Sequence, residues 1–422
     1  MSDYRLEKLD PSRTTTPEQQ QALDQWIQAI CMGFLDPAPT EDQLTLIRNH
    51  LLRDGGVLRA MRRPPRSTVG EVEQPVATMR TWTNSINTGD GHVEPAAFIT
   101  DVTVRQTDRR RGLLRTMMVD NLREIRDQGV ALAALTATEA TIYSRFGFGV
   151  STFHHTVELD ISHGFALLHE PIGPVVQLDP DSPRTAEVWE GVFRRFHLQT
   201  RGSHGVSAHH LDGFPGLIDW ETGKRDPRTR AVAHLDASGE PDGVLSYAIK
   251  DGELKVIDLV ALDANAELAF WDFIGNHDLL TKATCKSVSV ESPLRWALRD
   301  PRRLTVTNVR DGVWTRILDV PKALRVRGFE HDGEVTLGID DPSLVRRDIV
   351  RLCVREGVTE VEPFGGEPEL QMDVSVLGSL YLGGVDALTL FGAGRITGSP
   401  EAAARLDALF QVTLPPHSAR YF

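Results

Sequence analysis

The chain has 422 residues, 41% of them hydrophobic and 25% charged, and a net charge of −13. That length exceeds one ordinary core and predicts roughly two to four domains. It contains no unbroken apolar run of eighteen or so residues, which excludes a hydrophobic membrane-spanning helix, and its acidic balance argues against broad nucleic-acid binding, which needs a basic face.

Residues 1–155 read as one unit. The opening MSDYRLEK has no apolar signal region, so the expected compartment is the cytoplasm. Thr16, Pro17 and Glu18 open a helix that runs through Cys31, with Leu23, Trp26, Ile27 and Ile30 on one face. A second helix is predicted over 41–53, and strands over 56–62 and 76–82. The run GDG at 89–91 is a turn. A long apolar strand over 96–104 includes Phe98, Ile99, Val102 and Val104. A polar turn with Arg109, Arg110, Arg111 and Gly112 follows. The next helix sets Leu114, Met117, Met118, Leu122 and Ile125 on one face and ends at Gln128 and Gly129. A buried strand over 130–135, a short helix over 140–146 closed by Gly147, and an alternating strand over 150–160 complete the unit. The order is mixed α+β rather than doubly wound, because a meander precedes the βαβ-like part.

Residues 156–300 read as a second mixed unit, with strands over 247–256 and 258–262 and a helix over 264–273. The run VIDLVAL at 256–262 echoes residues 99–105, but the turn after it, DANAE at 263–267, has neither glycine nor arginine. If the fold is duplicated, its phosphate site is absent. His204, His209 and His210, near Ser203 and Asp212, lack metal-site spacing and read as a surface loop. His154 and His155 alternate on a strand, so at most one faces inward. Cys31, Cys285 and Cys353 are far apart and odd in number, as expected of buried reduced thiols rather than disulfides or a zinc site.

Residues 301–422 form the third unit. Strands are predicted over 304–309, 314–318, 325–328, 333–339, 349–354 and 358–363, and helices over 373–381 and 400–409. The GAG run at 392–394 is a turn. The chain ends in ARYF, an aromatic end expected to be tucked into the fold rather than loose.

The chemistry concentrates at 101–114, DVTVRQTDRRRGLL. An apolar strand, a turn with three arginines and a glycine, and a clean helix build an anion-binding helix N-terminus. Gly112 lets the backbone approach a phosphate, and Arg109, Arg110 and Arg111 supply charge. The alternative is a solvated basic turn. The second motif is TEATIYSRFGFG at 138–149, in which Tyr143 is either a proton donor, with a reference pKa near ~10, or a core aromatic. No Gly-x-Ser-x-Gly elbow supports hydrolase chemistry. Acidic walls suit a cationic substrate.

The spacing Arg109-x-x-Gly112 resembles the phosphate loop of GCN5-related N-acetyltransferases, with Leu114 departing from the small residue usual there. Residues 102–150 more specifically resemble the enhanced intracellular survival (Eis) aminoglycoside N-acetyltransferases, and length and organisation extend that likeness over essentially the whole chain. The resemblance implies tandem GCN5-related acetyltransferase folds, the second lacking the cofactor loop, then a sterol-carrier-protein-like α+β domain. It implies acetyl-CoA as donor, held by Val102, Thr103, Val104, Arg109, Arg110, Arg111, Gly112, Leu113, Leu114, Thr138 and Glu139, with no metal. Tyr143 would be the general acid and the C-terminal carboxylate of Phe422 the general base. Burial makes an α-carboxylate a better proton acceptor. The first helices would wall the acceptor site and offer Asp24, Trp26, Asp36 and Glu41 to an aminoglycoside or other polyamine through charge and cation–π contact. Asp101 would face the acceptor amine or cap a bulge. The family also implies a homo-hexamer, a trimer of dimers. Two other functions stay open: acetylation of protein lysines on the same scaffold, and a non-catalytic lipid- or protein-binding module carried by the third unit.

Overall fold

The computed structural model describes residues 3–208, 214–219 and 223–422. The chain opens with β1 (Arg5–Leu9), α1 (Pro17–Phe34) and α2 (Glu41–Asp54). Each helix starts on a capping box, Thr16 with Gln19 and Thr40 with Gln43, which satisfies free N–H groups of the first turn. Strands β2 (Val57–Arg62), β3 (Ala77–Gly89) and β4 (His92–Val104) follow, then α3 (Leu113–Asp127), β5 (Leu132–Thr136), the one-turn α4 (Ala140–Tyr143) and β6 (Phe148–Val150). The next stretch holds β7 (Phe153–Asp160), β8 (Val175–Leu178), α5 (Pro183–Gln199), a small ribbon of β9 (Ile218–Asp219) and β10 (Lys224–Arg225), β11 (Thr229–Leu235), β12 (Pro241–Lys250) and β13 (Glu253–Ala261). It continues through α6 (Ala264–Gly275), β14 (Lys282–Ser289), α7 (Leu294–Ala297), β15 (Leu304–Asp311) and β16 (Val313–Ile317). The last unit is α8 (Val320–Arg325), β17 (Gly333–Asp341), β18 (Arg346–Arg355), β19 (Val358–Pro363), β20 (Leu370–Asp373), α9 (Val374–Tyr381), α10 (Ala387–Gly392), β21 (Ile396–Gly398) and α11 (Pro400–Phe410).

Two seven-stranded sheets repeat one plan. The first runs β1-β2-β3-β4-β5-β16-β6 and the second β15-β7-β14-β13-β12-β11-β8. In each, antiparallel strands lead to one parallel pair, β4 with β5 and β13 with β14, and two antiparallel strands finish it. The duplication read from 256–262 is therefore structural.

The two folds exchange strands. The expected strand over 150–160 breaks at residues 151 and 152: β6 stays in the first sheet and β7 pairs with β14 and β15 in the second. In return β16 pairs with β5 and β6. The strands expected to open the third unit, at 304–309 and 314–318, thus belong to the second and first sheets. Burial periodicity marks a strand as a strand but does not say which sheet takes it. Two other expectations fail locally. The predicted strand over 247–256 is crossed by the turn at Asp251 and Gly252, which makes β12 and β13 a hairpin. Residues 325–328 end α8 and enter a loop.

The third sheet, β19-β18-β17-β20-β21, packs its apolar face on α9 and α11. Helix α9 also docks on the first sheet at a glycine contact. A Cβ at Gly378 would stand 2.6 Å from the Thr315 carbonyl, while the Gly378 carbonyl accepts from Ser151 at 2.8 Å and from Thr315 at 2.7 Å. This joint fixes the third unit against the first fold, so the tail that leaves α11 starts from a rigid point.

Candidate active site

The site forms where β4 and β5 part. Their parallel ladder runs from Ala96 with Leu132 to Ile99 with Leu135 and then stops. Beyond it, one edge of β4 from Thr100 to Val104 has no partner strand among the described residues. A bulge turns that edge outward: β3 pairs Arg80 with Thr100 and Thr78 with Thr103, so Met79 faces two residues, Asp101 and Val102. Asp101 takes a left-handed φ of +55°. The Thr78 hydroxyl holds the bulge by donating to the Asp101 carbonyl at 2.8 Å, and lies 2.7 Å from the Thr103 hydroxyl.

Helix α3 begins directly after. Gly112 is its N-cap at φ +78°, a left-handed turn that favours glycine, and no side chain caps the free N–H groups. Leu113 turns into the core, whereas Arg109, Arg110 and Arg111 are exposed and unpaired among the described residues. An uncapped positive helix end preceded by three exposed arginines has the features that an anion site needs. Beneath it Asp108 is fully buried and binds Arg63 at 2.9 Å, Arg66 at 2.9 Å and Tyr4 at 2.7 Å. Those partners hold its carboxyl well below the usual range despite burial. Thr138 and Glu139 are exposed at the start of α4. Tyr143 is 6% exposed, edge-on to Phe148 at 6.3 Å. Burial, helped by the Glu139 carboxylate, pushes its phenol up to about 12.

A cavity of about 340 Å³ lies on the other face of the first sheet, between α1, α2, β3 and β4. Asp101, Trp26 and Phe422 line it together. The Asp101 carboxylate makes no hydrogen bond or ion pair among the described residues. Its burial raises its pKa to about 6, against the pull of Arg80. Trp26 is wholly buried and its indole N–H donates to the Arg59 carbonyl at 2.9 Å, so only its ring meets the cavity. Asp24 and Asp36 are not brought to it: Asp24 pairs with Arg48 at 2.6 Å, as does Glu41 at 3.2 Å, and Asp36 is exposed beyond the end of α1. Cys31 is half-buried and lines the wall, unlike the buried Cys285 and Cys353.

The tail enters this cavity under heavy restraint. The Phe422 ring lies edge-on to Phe98 at 4.4 Å, His204 at 4.9 Å and Trp82 at 5.9 Å. The Thr136 hydroxyl at the end of β5 faces a carboxylate oxygen of Phe422 at 3.4 Å. Phe98 and Trp82 belong to one face of the sheet; Tyr143, Ile99 and Leu135 belong to the other. The acid and base that the resemblance implies therefore pack on opposite faces of the sheet, and Thr136, at the end of β5, touches the second of them.

Sequence reasoning missed several of these groups. His204 and Ser203, expected on a surface loop, are each 1% exposed beneath the tail. His209, His210 and Asp212 lie outside the described residues. Asp54 and Arg80 form a cavity-wall pair at 3.0 Å, and Asp54 also accepts from the Ala208 N–H at 2.7 Å. Arg80 had one legible signal, a charge within an otherwise apolar strand. Of the paired histidines, His154 is buried and His155 partly exposed, as their alternation requires.

Comparison with known proteins gives the family and the fold. Residues 15–151 and 215–326 each match an acetyltransferase (GNAT) domain, and residues 320–418 match a sterol carrier protein domain. That last match begins just after β16. The chain is 33% identical over 342 residues to N-acetyltransferase Eis of Mycobacterium tuberculosis, covering 78% of this chain and 81% of that protein. It is 29% identical over 408 residues to an uncharacterized N-acetyltransferase of Streptomyces avermitilis, covering 93% and 94%. The crystal structure of Eis1 from Mycobacterium abscessus shares the fold, with a TM-score of 0.79 at 24% identity over 99% of this chain and 100% of that one.

Proposed function

This chain belongs to the Eis family of N-acetyltransferases, and from that premise we propose that it acetylates amines of cationic small molecules, aminoglycosides among them, from acetyl-CoA by direct transfer. The observation that carries the proposal is the arrival of Phe422 in the cavity that Asp101 also lines, with its carboxylate against Thr136, just past the end of the β4–β5 ladder.

The residues present fit the donor. The uncapped turn at Gly112 and the arginines Arg109 to Arg111 suit a pyrophosphate, and the free edge of β4 at Val102, Thr103 and Val104 suits the amides of a pantetheine arm. Acetyl-CoA, when bound, supplies the acetyl group as a thioester. The Phe422 carboxylate takes a proton from the acceptor ammonium, and the freed amine attacks the carbonyl carbon. A backbone N–H of the β4 edge stabilises the developing oxyanion. As the carbon–sulfur bond breaks, Tyr143 donates its phenolic proton to the sulfur. A phenol held at about 12 keeps its proton at neutral pH, so Tyr143 has it to give when the thiolate leaves.

The acceptor wall supports a cation. The unpaired Asp101 carboxylate and the face of Trp26 offer charge and cation–π attraction in a space that takes one ring or a flexible amine arm, while Trp82 already carries the Arg80 guanidinium 4.6 Å from its ring centre. Product mass spectrometry after incubation with tobramycin or with lysine peptides, each with acetyl-CoA, is the test. A mass gain of one or more acetyl groups on tobramycin is expected. Acetylation of peptides alone would move the assignment to protein lysine acetylation, and failure to bind acetyl-CoA in calorimetry would refute both. The family resemblance also implies a hexamer, a trimer of dimers, which light scattering tests.

A further inference from the structure

The second fold has the same two positions, a helix start and a strand gap, and the chain itself occupies both. Its helix α6 corresponds to α3, but Asp263 caps it: the carboxylate accepts from the Ala266 N–H at 2.8 Å. That places a negative charge where a pyrophosphate needs a positive end. The gap between strands is bridged too, by a segment that with Asp258 and Ser287 walls a cavity of about 420 Å³. Strands β13 and β14 pair at 254–256 with 283–285 and then part. The tail lies across the opening. The Ala419 carbonyl accepts from Ser287 on β14 at 3.3 Å, and Arg420 binds Asp258 on β13 at 2.7 Å.

The pair between Asp258 and Arg420 is deeply buried, its side chains 3% and 4% exposed. One oxygen of Asp258 accepts two bonds from Arg420, at 2.7 and 3.2 Å, and one from the Trp189 indole at 2.9 Å. The Arg420 guanidinium also lies 4.0 Å over the Phe193 ring. Two charges withdrawn from water lose much of their attraction to desolvation, so such a pair is weak evidence of stability, but it holds one geometry firmly. Next along the chain, the Tyr421 hydroxyl meets His154 at 2.6 Å, and then comes Phe422. The internal repeat adds a relation. Asp258 follows the last parallel pair of its strand by two residues, as Asp101 does in β4. The duplicated fold thus carries one acid at the acceptor cavity and its counterpart on the tail.

We propose that the second fold is a clamp for the C-terminal tail, and that Asp258 and Arg420 are positioning residues that hold the Phe422 carboxylate at the cavity of the first fold. The proposal rests on that carboxylate being the base. It accounts for a fold that has closed its own donor site: the vacated cleft grips the segment that completes the other site.

The test uses full-length Asp258→Asn, Arg420→Gln and Arg420→Lys with a variant lacking Phe422. Calorimetry reads acetyl-CoA affinity, initial rates with tobramycin read kcat and KM, and mass spectrometry reads trimming of the C-terminus by a carboxypeptidase. We expect acetyl-CoA affinity to stay within about twofold, because the donor site is untouched, and kcat to fall roughly 10²-fold in Asp258→Asn and Arg420→Gln, the scale of a misplaced reacting group. Phe422 should be released at least about tenfold faster once the tail is freed. Arg420→Lys, which keeps the charge, should recover part of kcat, and formate should restore some activity to the variant lacking Phe422. Wild-type kcat in both clamp variants, with the deletion inactive, would overturn the clamp and leave the base standing. Full activity in the deletion would overturn the base itself. Parallel loss of acetyl-CoA binding and kcat would mean a merely structural role and would also overturn the clamp. If Asp258→Asn does not fold, Arg420→Gln and Arg420→Lys decide, since their changed side chain belongs to the tail and not to the sheet.

Discussion

Replacing Asp101 by asparagine should make the protein more stable at neutral pH and a poorer enzyme. The Asp101 carboxyl is raised from 3.8 to about 6 because it is buried without a partner, with Arg80 only partly offsetting that. The native state then binds this proton more tightly than the unfolded chain does. The proton's stabilising contribution is complete below about pH 4 and disappears as pH rises through about 6. A rise of about two pH units corresponds to about 3 kcal/mol at the limit. The side chain is only partly enclosed and opens on the cavity, so solvent screening brings the expected value to about 1–2 kcal/mol. Asparagine cannot ionise and removes this pH dependence. Melting temperatures of the two proteins measured from pH 4.5 to 7.5 should therefore diverge in favour of Asp101→Asn across pH 5–6. Each kcal/mol corresponds to about 2–4 °C for domains of this size. The same variant should lose affinity for a polyamine acceptor, and calorimetry of wild-type protein near pH 6 in buffers of different ionisation heat should show a proton released when the cation binds. A wild-type-to-variant difference that stays flat between pH 4.5 and 7.5 would show that Asp101 is not held in the buried, unpaired state described above.

Three further substitutions probe separate parts of the site. Tyr143→Phe should lower kcat by roughly 10²–10⁴-fold, the usual worth of a general acid, with acetyl-CoA affinity unchanged; full kcat in stopped or continuous thiol-release assays would remove Tyr143 from proton transfer. Gly112→Ala forces a side chain into the left-handed turn that opens α3, at a cost of about 1–2 kcal/mol, and calorimetry should show weaker acetyl-CoA binding with less effect on the acceptor. Gly378→Ala places a methyl group 2.6 Å from the Thr315 carbonyl where α9 meets the first sheet. It should cost about 1–3 kcal/mol as overpacking and reduce activity in step with stability, which thermal melts and rates on the same samples would compare.

The units with strong local signals were legible from residues alone. The helices beginning at Pro17 and Glu41 carry capping-box residues and an apolar face, so their starts appear in the structure as predicted. The strand, arginine turn and helix at 101–114 also form as expected, because an apolar run, a glycine and a 3.6-residue periodicity each act within a few positions. The helix over 183–199 was not assigned, although Pro183 opens it and Trp189, Val192, Phe193 and Phe196 line its buried face. Strand order was not legible. The exchange of β7 and β16 leaves their alternation unchanged, since either sheet would bury the same faces.

The residues proposed to serve the donor lie in one continuous stretch, from Val102 to Tyr143, so that reading follows from neighbouring residues. The cavity proposed for the acceptor is assembled from α1, α2, β3, β4 and the last residue of the chain, so its composition depends on packing. Carboxylates that look equivalent in sequence separate there. Asp24 pairs with Arg48 and Asp258 with Arg420, while Asp101 faces the cavity unpaired. Local periodicity and turn chemistry act over a few residues and are written in the chain itself. Which charge finds a partner, and which remains free to act, depends on residues hundreds of positions apart, and only the tertiary fold brings them together.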